Sequence, residues 1–410
     1  MSNKTSTQQY KKMEIKLSPS KWKLYKLKEI TERTEQIDFR KLPRSQIKYI
    51  DVSSISNETF RIESIKELDS KEAPRRARKV IREGDVLFAT VRPSLRRVAL
   101  VPATLDGQVC STAICVIRCN LTVALPQFVY YTVTSNRFIQ QVTRRERGTN
   151  YPAVTDRDVL NQPIFLPPLK EQQYIATILS IIQNSIYRCI EVIQETKLLK
   201  KSLMKYLFIY GAVPYIETGN IALKECEFGR VPSEWSVLPF RMCIVKNHNK
   251  IKTVKQGLYQ KEGVFPIIDQ SKDAIGGYWD QEEDLWQTPL PVIIFGDHTR
   301  EIKYVDFPFV CGAQGVKVIQ PNTALFEPKF LYYALLNLKI PNRGYNRHFS
   351  LLKNSWLPYP PLKEQKKIIC VLSAIDKKLK AELNKKHALN SFLNTFLQEL
   401  PYGKKIISNG

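Results

Sequence analysis

Two kinds of apolar pattern alternate along this chain. Short apolar runs bounded by Gly or Pro have the length and punctuation of strands: "GDVLFATV" from Gly84, "AICVIR" from Ala113, "VIIFGD" from Val292 and "GVKVI" from Gly315. "PQFVYYTVTSNRFIQQVT" from Pro126 and "PKFLYYALLNL" from Pro328 open on a proline and then space apolar residues as helices do. Two longer stretches carry heptads. In the first, Ile175, Ile182, Cys189, Thr196 and Leu203 form one row, with Leu179, Ile186, Ile193, Lys200 and Leu207 beside it. In the second, the rows are Ile368, Ile375, Glu382, Leu389, Phe396 and Leu372, Leu379, Lys386, Leu393, Leu400. Each predicts a helix of about 40 residues, roughly 60 Å long. A stripe of that length needs a partner helix, and each has one of its own kind in the other half of the chain.

The second heptad stretch is the first displaced by 193 residues, because "PPLKEQ" opens both, at Pro167 and at Pro360. Other pairs precede them in the same order. "PSKW" (Pro19–Trp22) matches "PSEW" (Pro232–Trp235), "VLFATVRP" (Val86–Pro93) matches "IIFGDHTR" (Ile293–Arg300), and "VCSTAICVIR" (Val109–Arg118) matches "VCGAQGVKVI" (Val310–Ile319). "PQFVYY" (Pro126–Tyr131) matches "PKFLYY" (Pro328–Tyr333), and the basic loops "RERGTNYPAV" and "PNRGYNRHFS" follow. The repeat is therefore a whole α/β domain of about 130–150 residues followed by a long helix. Read locally, PPLKEQ is a helix start. A proline at the first helical position lacks an N–H that would go unpaired; in the first turn the acid suits the positive dipole end, and either Glu or Gln can bond a free N–H of its own helix. Two such units related by a pseudo-twofold pair their helices antiparallel, as a spacer between two similar domains. Thr196 and Lys200 against Glu382 and Lys386 suggest pairing between unlike helices.

Charge narrows the class. The chain has 410 residues, 43% of them hydrophobic, and a formal net charge of +24. A globular protein so basic favours a polyanionic partner, nucleic acid first and an anionic membrane surface second. The start, "MSNKTSTQQYKK", lacks the apolar core of a signal peptide, and no run reaches the ~18–20 apolar residues of a membrane span. A reducing cytoplasm is expected, with no membrane partner. Cys110, Cys115 and Cys119 lie in the strand-like run "VCSTAICVIRC", whose alternation puts Cys110 on one face and the other two on the opposite face. They read as buried thiols rather than zinc ligands.

The doubled "LPPLKEQ" and "YPPLKEQ" starts, the "KW" and "EW" openings, "GDVLFATVRP", and the loops "GTNYPAVT" and "GYNRHFS" together resemble the specificity subunit of type I restriction-modification enzymes. The resemblance runs from Pro19 to about Leu400. It implies a mixed α/β fold: two target-recognition domains separated by two long helices in an antiparallel coiled coil. The implied organisation is a tail (1–18), a first recognition domain (19–166), a spacer helix (167–211), a linker (212–231), a second recognition domain (232–359), a second spacer helix (360–401) and a tail (402–410). It also implies that each domain reads one half of a bipartite, asymmetric duplex DNA target. The implied partners are DNA, two methyltransferase subunits and, where the system has them, restriction subunits. The second domain departs from the family pattern, with "IIFGDHTR" where an "LF…RP" stretch is commoner.

Candidate DNA-binding residues follow from the basic clusters and the Gly-containing loops. In the first domain they are Arg75, Arg76, Arg78, Arg92, Arg96, Arg97, Arg144, Arg145, Arg147, Asn150 and Tyr151, with Lys79 and Arg82 in the same stretch as the first three. In the second they are Lys246, Lys250, Lys252, Arg343, Tyr345, Asn346, Arg347 and His348, with Lys255 nearby. Arg suits guanine O6 and N7 and Asn suits adenine N6 and N7, although most Lys and Arg contacts go to phosphates. No cofactor loop, methyltransferase motif or phosphate loop is present, and four His form no metal cluster, so no cofactor, metal or catalytic residue is expected. Two other classes stay open. One is a magnesium-dependent nuclease built on Asp297, Glu301 and Lys303. The other is an RNA-binding or architectural scaffold.

Overall fold

The computed structural model describes residues 21–38, 41, 43–245, 252–286, 289–312, 315–342, 344 and 346–399. The chain divides into two compact units, Met1–Glu191 with Leu383–Gly410, and Val192–Glu382.

In chain order the first unit holds β1 (Lys23–Lys26), β2 (Gln46–Ile50), β3 (Lys66–Asp69), β4 (Ala77–Val80), β5 (Val86–Ala89), β6 (Val98–Leu100), β7 (Val109–Ser111), β8 (Ile114–Ile117), α1 (Pro126–Thr134), α2 (Asn136–Thr143), α3 (Asp156–Leu160), β9 (Pro163–Leu166) and the first part of α4 (Leu169–Tyr210). One sheet has the order β3–β2–β7–β4, with β2 and β7 parallel. A second has the order β6–β5–β8 and is antiparallel throughout. β1 and β9 form an antiparallel pair.

The middle sheet is buried on both faces, which is why its strands read as unbroken apolar runs. Alternation divides its side chains between two cores. Val86, Phe88, Val98, Cys115 and Ile117 pack with residues of α1, α2 and α4, and Leu87, Ala99, Ile114 and Val116 pack with Ile50 and Cys110 of the neighbouring sheet. The unit is thus helix, sheet and sheet in layers. "VCSTAICVIRC" differs from its reading as a single strand: it bends at Thr112–Ala113 and passes from the β2 sheet into the β5 sheet. The thiols are buried all the same, Cys110 in one core and Cys115 and Cys119 in the other.

The second unit holds the rest of α4, a hairpin of β10 (Leu223–Cys226) and β11 (Gly229–Pro232), then β12 (Ser236–Pro239), α5 (Phe240–Cys243), β13 (Ile244–Val245), β14 (Phe265–Ile268), β15 (Gly277–Trp279), β16 (Leu285–Trp286), β17 (Val292–Gly296), β18 (Ile302–Val305), β19 (Phe309–Cys311), β20 (Val316–Pro321), α6 (Pro328–Asn337), α7 (Phe349–Lys353), β21 (Trp356–Tyr359) and the first part of α8 (Leu362–Glu399). Its sheets repeat those of the first unit. The order β15–β14–β19–β16 has β14 and β19 parallel, β18–β17–β20 is antiparallel, and β12 pairs with β21. The division of side chains recurs too, with Ile293, Phe295 and Ile319 in one core and Val292, Ile294 and Val316 in the other.

The heptad rows hold most of the buried positions of the long helices, with Leu203, Ile375, Leu379 and Leu389 half-buried. Ile175, Leu179, Ile182, Ile186, Cys189, Ile193, Thr196, Leu207, Ile368, Leu372, Leu393 and Phe396 are all buried. Within the second unit the pairing is antiparallel: Lys200 contacts Asp376 at 2.6 Å, and beyond it Ala212 contacts Glu364, which lies earlier in α8. Lys200 therefore pairs with Asp376 rather than with Glu382, and Asp376 also accepts the Tyr333 hydroxyl at 2.7 Å. Within the first unit, Leu393, Phe396 and Leu397 join the core that Ile175 and Leu179 line. Lys386 forms an ion pair with Glu58, on a loop whose Thr59 carbonyl accepts the Tyr187 hydroxyl.

Candidate nucleic-acid interface

In the first domain, three separate stretches of basic sequence are joined by backbone hydrogen bonds, two of them through Thr112 and Ala113. The Arg76 carbonyl accepts the N–H of Thr112 at 2.8 Å, and the next carbonyl along, Ala113, accepts the N–H of Thr90 at 2.9 Å. The Thr90 carbonyl accepts Val154 at 2.9 Å, and the N–H of Arg92 donates to Pro152 at 2.7 Å. Arg147 and Ala153 exchange both backbone bonds, closing the loop "RGTNYPA". The stretches around Arg76, Arg92 and Arg147 thus form one continuous ridge.

Backbone strain is concentrated on it. Arg92 and Arg96 both lie in the left-handed region, at φ 49° and 53°. A non-glycine residue is costly there and persists only where its surroundings impose it. The Arg92 guanidinium lies over the Tyr151 ring, 4.9 Å from its centre, and donates to the Asn150 carbonyl at 3.2 Å. Tyr151 and Asn150 are both exposed.

The other candidates fall into two groups. Arg75, Arg144, Arg145 and Arg147 are exposed. Arg147 faces Asp158 at 3.4 Å, and the Thr155 backbone N–H holds the Asp158 carboxyl below the usual carboxylate range. Other basic residues are occupied in holding the domain. Lys79 is buried, donating to Asp156 at 2.5 Å and to the Ile114 carbonyl at 2.6 Å. Arg78 ties the Arg75 carbonyl to Asp38, Arg82 lies near Glu35 and Asp106, and half-buried Arg97 donates to the Ile55 carbonyl.

The second domain repeats the scaffold of the ridge with other residues. Asp297 stands where Thr90 does: its N–H donates to the Gly315 carbonyl and its own carbonyl accepts the N–H of His348, both at 2.8 Å. His348 is fully buried, its ring Nδ1 3.0 Å from the same carbonyl. It is therefore a pin between two loops, and the expectation that it touches DNA is corrected on that ground. Asn346 and Arg347, just before it, are exposed. Lys252 is exposed but holds the Glu283 carbonyl at 3.1 Å and faces Asp284 at 3.5 Å. Lys246, Lys250, Arg343 and Tyr345 lie outside the described residues.

The nuclease triplet is not assembled as a metal site. The buried Asp297 carboxylate accepts the Phe349 N–H at 2.8 Å, whereas Lys303 faces Asp269 at 3.6 Å and donates to the Asp273 carbonyl. Among the described residues, no cluster of His, Cys, Asp and Glu could hold a metal ion.

Some informative residues went unnoticed in the sequence. Arg300, at φ 64° in the β17–β18 turn, is the counterpart of the strained arginines of the first ridge. The doubled "IDVS" and "IDQS" put Asp51 and Asp269 at the same place, just after β2 and β14. Each carboxylate faces a basic side chain: Asp51 meets Arg76 at 2.6 Å, and Asp269 meets Lys303 at 3.6 Å. A four-residue match was the only signal that could have shown them.

A family model for the type I restriction modification DNA specificity domain matches residues 19–221 and 242–390. The chain belongs to that family. Its DNA-recognition role follows from that membership, and the two matches fall on the two halves of the internal repeat. A protein of Methanocaldococcus jannaschii, provisionally named the type I restriction enzyme MjaX specificity subunit, is 24% identical, with 96% of each chain covered. The type I restriction enzyme HindI specificity subunit of Haemophilus influenzae is 27% identical over 46% of this chain and 41% of its own length. A solved chain from work on complex assembly and conformational transition of the type I R-M system is 28% identical. It covers 93% of this chain and 97% of its own, at a TM-score of 0.55.

Proposed function

We propose that this specificity subunit reads a bipartite duplex DNA target, one half with each recognition domain, within a complex that also holds methyltransferase and restriction subunits. The observation that carries the reading is the doubled scaffold: the same sheets and the same loop-to-loop backbone bonds, dressed with different side chains. Duplicated architecture with divergent loops suits two different half-sites. The exposed Arg75, Arg92, Arg144, Arg145 and Arg147, with Asn150 and Tyr151, form the first contact surface. Arg300, Asn346 and Arg347 mark the second. α4 and α8 act as the spacer that sets the unread gap, and any methylation or cleavage resides in the partner subunits, in the cytoplasm.

Competition tests this reading. The purified full chain should prefer duplex DNA carrying its site to duplex RNA and to unrelated DNA. Equal binding of RNA and DNA would favour the scaffold alternative, and magnesium-dependent cleavage by the chain alone would favour the nuclease.

A further inference from the structure

Arg76 differs from every other arginine on the first ridge. Its Nε donates to the Tyr49 hydroxyl at 3.2 Å, and one terminal nitrogen donates to the Asp51 carboxylate at 2.6 Å. Tyr49 is fully buried, and Asp51 is itself fixed by the Val52 N–H, which donates to its other oxygen at 2.8 Å. The guanidinium is therefore held along its side edge by two buried groups. Over half of the Arg76 side chain is nevertheless exposed (56%). Its end edge, the second terminal nitrogen and the remaining hydrogen of the first, makes no hydrogen bond with any described residue. The backbone bond from Thr112 places it next to Thr90 and Arg92 on the ridge.

We infer that Arg76 is a base-reading residue, its end edge donating both hydrogens to O6 and N7 of a guanine in the half-site read by the first domain. Two physical points separate this from a phosphate contact. The carboxylate directly behind the guanidinium also faces Lys66 at 3.9 Å, and it offsets part of the guanidinium charge, which weakens attraction to phosphate but leaves the hydrogen-bond geometry intact. A neutral acceptor pair on a base edge needs that geometry and little charge. Fixing the fork in advance also removes the side-chain entropy that a free arginine loses on binding. Exposed Arg75 and Arg145, with no such clamp, suit phosphates, whose contacts position without specifying.

This inference rests on the DNA-recognition reading, and the experiment separates the two. The full chain, alone and with its methyltransferase subunits, is used to select duplexes from a randomised pool, and the bound fraction is sequenced. Wild type should enrich a bipartite sequence with a guanine at one position of one half. Arg76→Lys keeps a charge but not the fork. It should lose selectivity at that position alone, by about 5- to 150-fold, the range expected of one bidentate pair. Asp51→Asn frees the fork and uncovers its charge, so it should relax the same position while tightening non-specific binding. Arg145→Ala should weaken all duplexes alike. If wild type enriches a site and Arg76→Lys leaves every position as selective as before, the inference is overturned and the recognition reading stands. If wild type enriches nothing, both fall.

Discussion

The side-chain oxygen of Gln172, on the first turn of α4, accepts the backbone N–H of Leu125, the residue ahead of α1, at 2.8 Å. The same amide donates from its nitrogen to the carbonyls of Val123 and Pro167. Gln365 repeats all three bonds in the second unit, to Glu327, Leu325 and Pro360. Both glutamines are fully buried. The neighbouring glutamates also reach outward, Glu171 to the Trp22 indole and Glu364 to the Ala212 N–H. The last two residues of PPLKEQ therefore weld each long helix to its surroundings, which is why the six residues occur twice.

Replacing Gln172 or Gln365 by Ala leaves an N–H and carbonyls unpaired in a dry setting. Each such group costs about 1–3 kcal/mol, so a loss of at least that size is expected for either variant in chemical denaturation. Glu should be no better than Ala, because a carboxylate cannot donate to the two carbonyls. A Gln→Glu variant as stable as wild type would show that the weld contributes nothing.

Burial raises the thiols of Cys110, Cys119, Cys243 and Cys311 to about 12, and Cys115 higher still. Thiolate, the reactive form, is then scarce at neutral pH. Alkylation of native protein at pH 8 should mark exposed Cys370 first and spare these five until denaturant is added. Peptide mass mapping checks the order. Early labelling of Cys110 or Cys115 would contradict the two-core packing of β7 and β8.

If the exposed arginines neutralise phosphates, log K should fall linearly with log salt, by about 0.9 per contact. Arg75→Ala or Arg145→Ala should reduce that slope by about one contact. The test is a titration at several salt concentrations, and salt-independent binding would remove the electrostatic account.

Four residues inserted after Glu191 and four after Glu382 would lengthen each long helix by about 6 Å. The inserts also add a stutter to the heptads. At about 3.4 Å per base pair, the unread gap should grow by one to two base pairs while the bases read stay the same. Methylation mapping reads the gap, and an unchanged gap in an active complex would remove the spacer role.

Much of this was legible in the sequence because duplication makes pattern visible twice. The heptad rows, the strands around Phe88 and Phe295, and the helices opening at Pro126 and Pro328 all carry strong periodicity or punctuation. The interface was legible only as charge. Arg75 and Arg78 are three residues apart, yet one is exposed and the other is tied to Asp38. His348 looked like part of a basic loop, but tertiary packing puts its ring against Asp297, 51 residues away in the chain. The Gln172 brace is hidden in the same way: a first-turn glutamine can serve its own helix, and this one reaches the start of another. Partners distant in sequence leave no local trace.

The most direct test exchanges residues 19–166 for the matching domain of a relative with a different target. The chimera is expressed with the methyltransferase subunits, and methylated bases are mapped across the host genome. One half of the methylated sequence should change to the relative's, with the other half and the gap unchanged. A chimera that folds and methylates but alters both halves, or neither, would contradict two domains that each read one half-site.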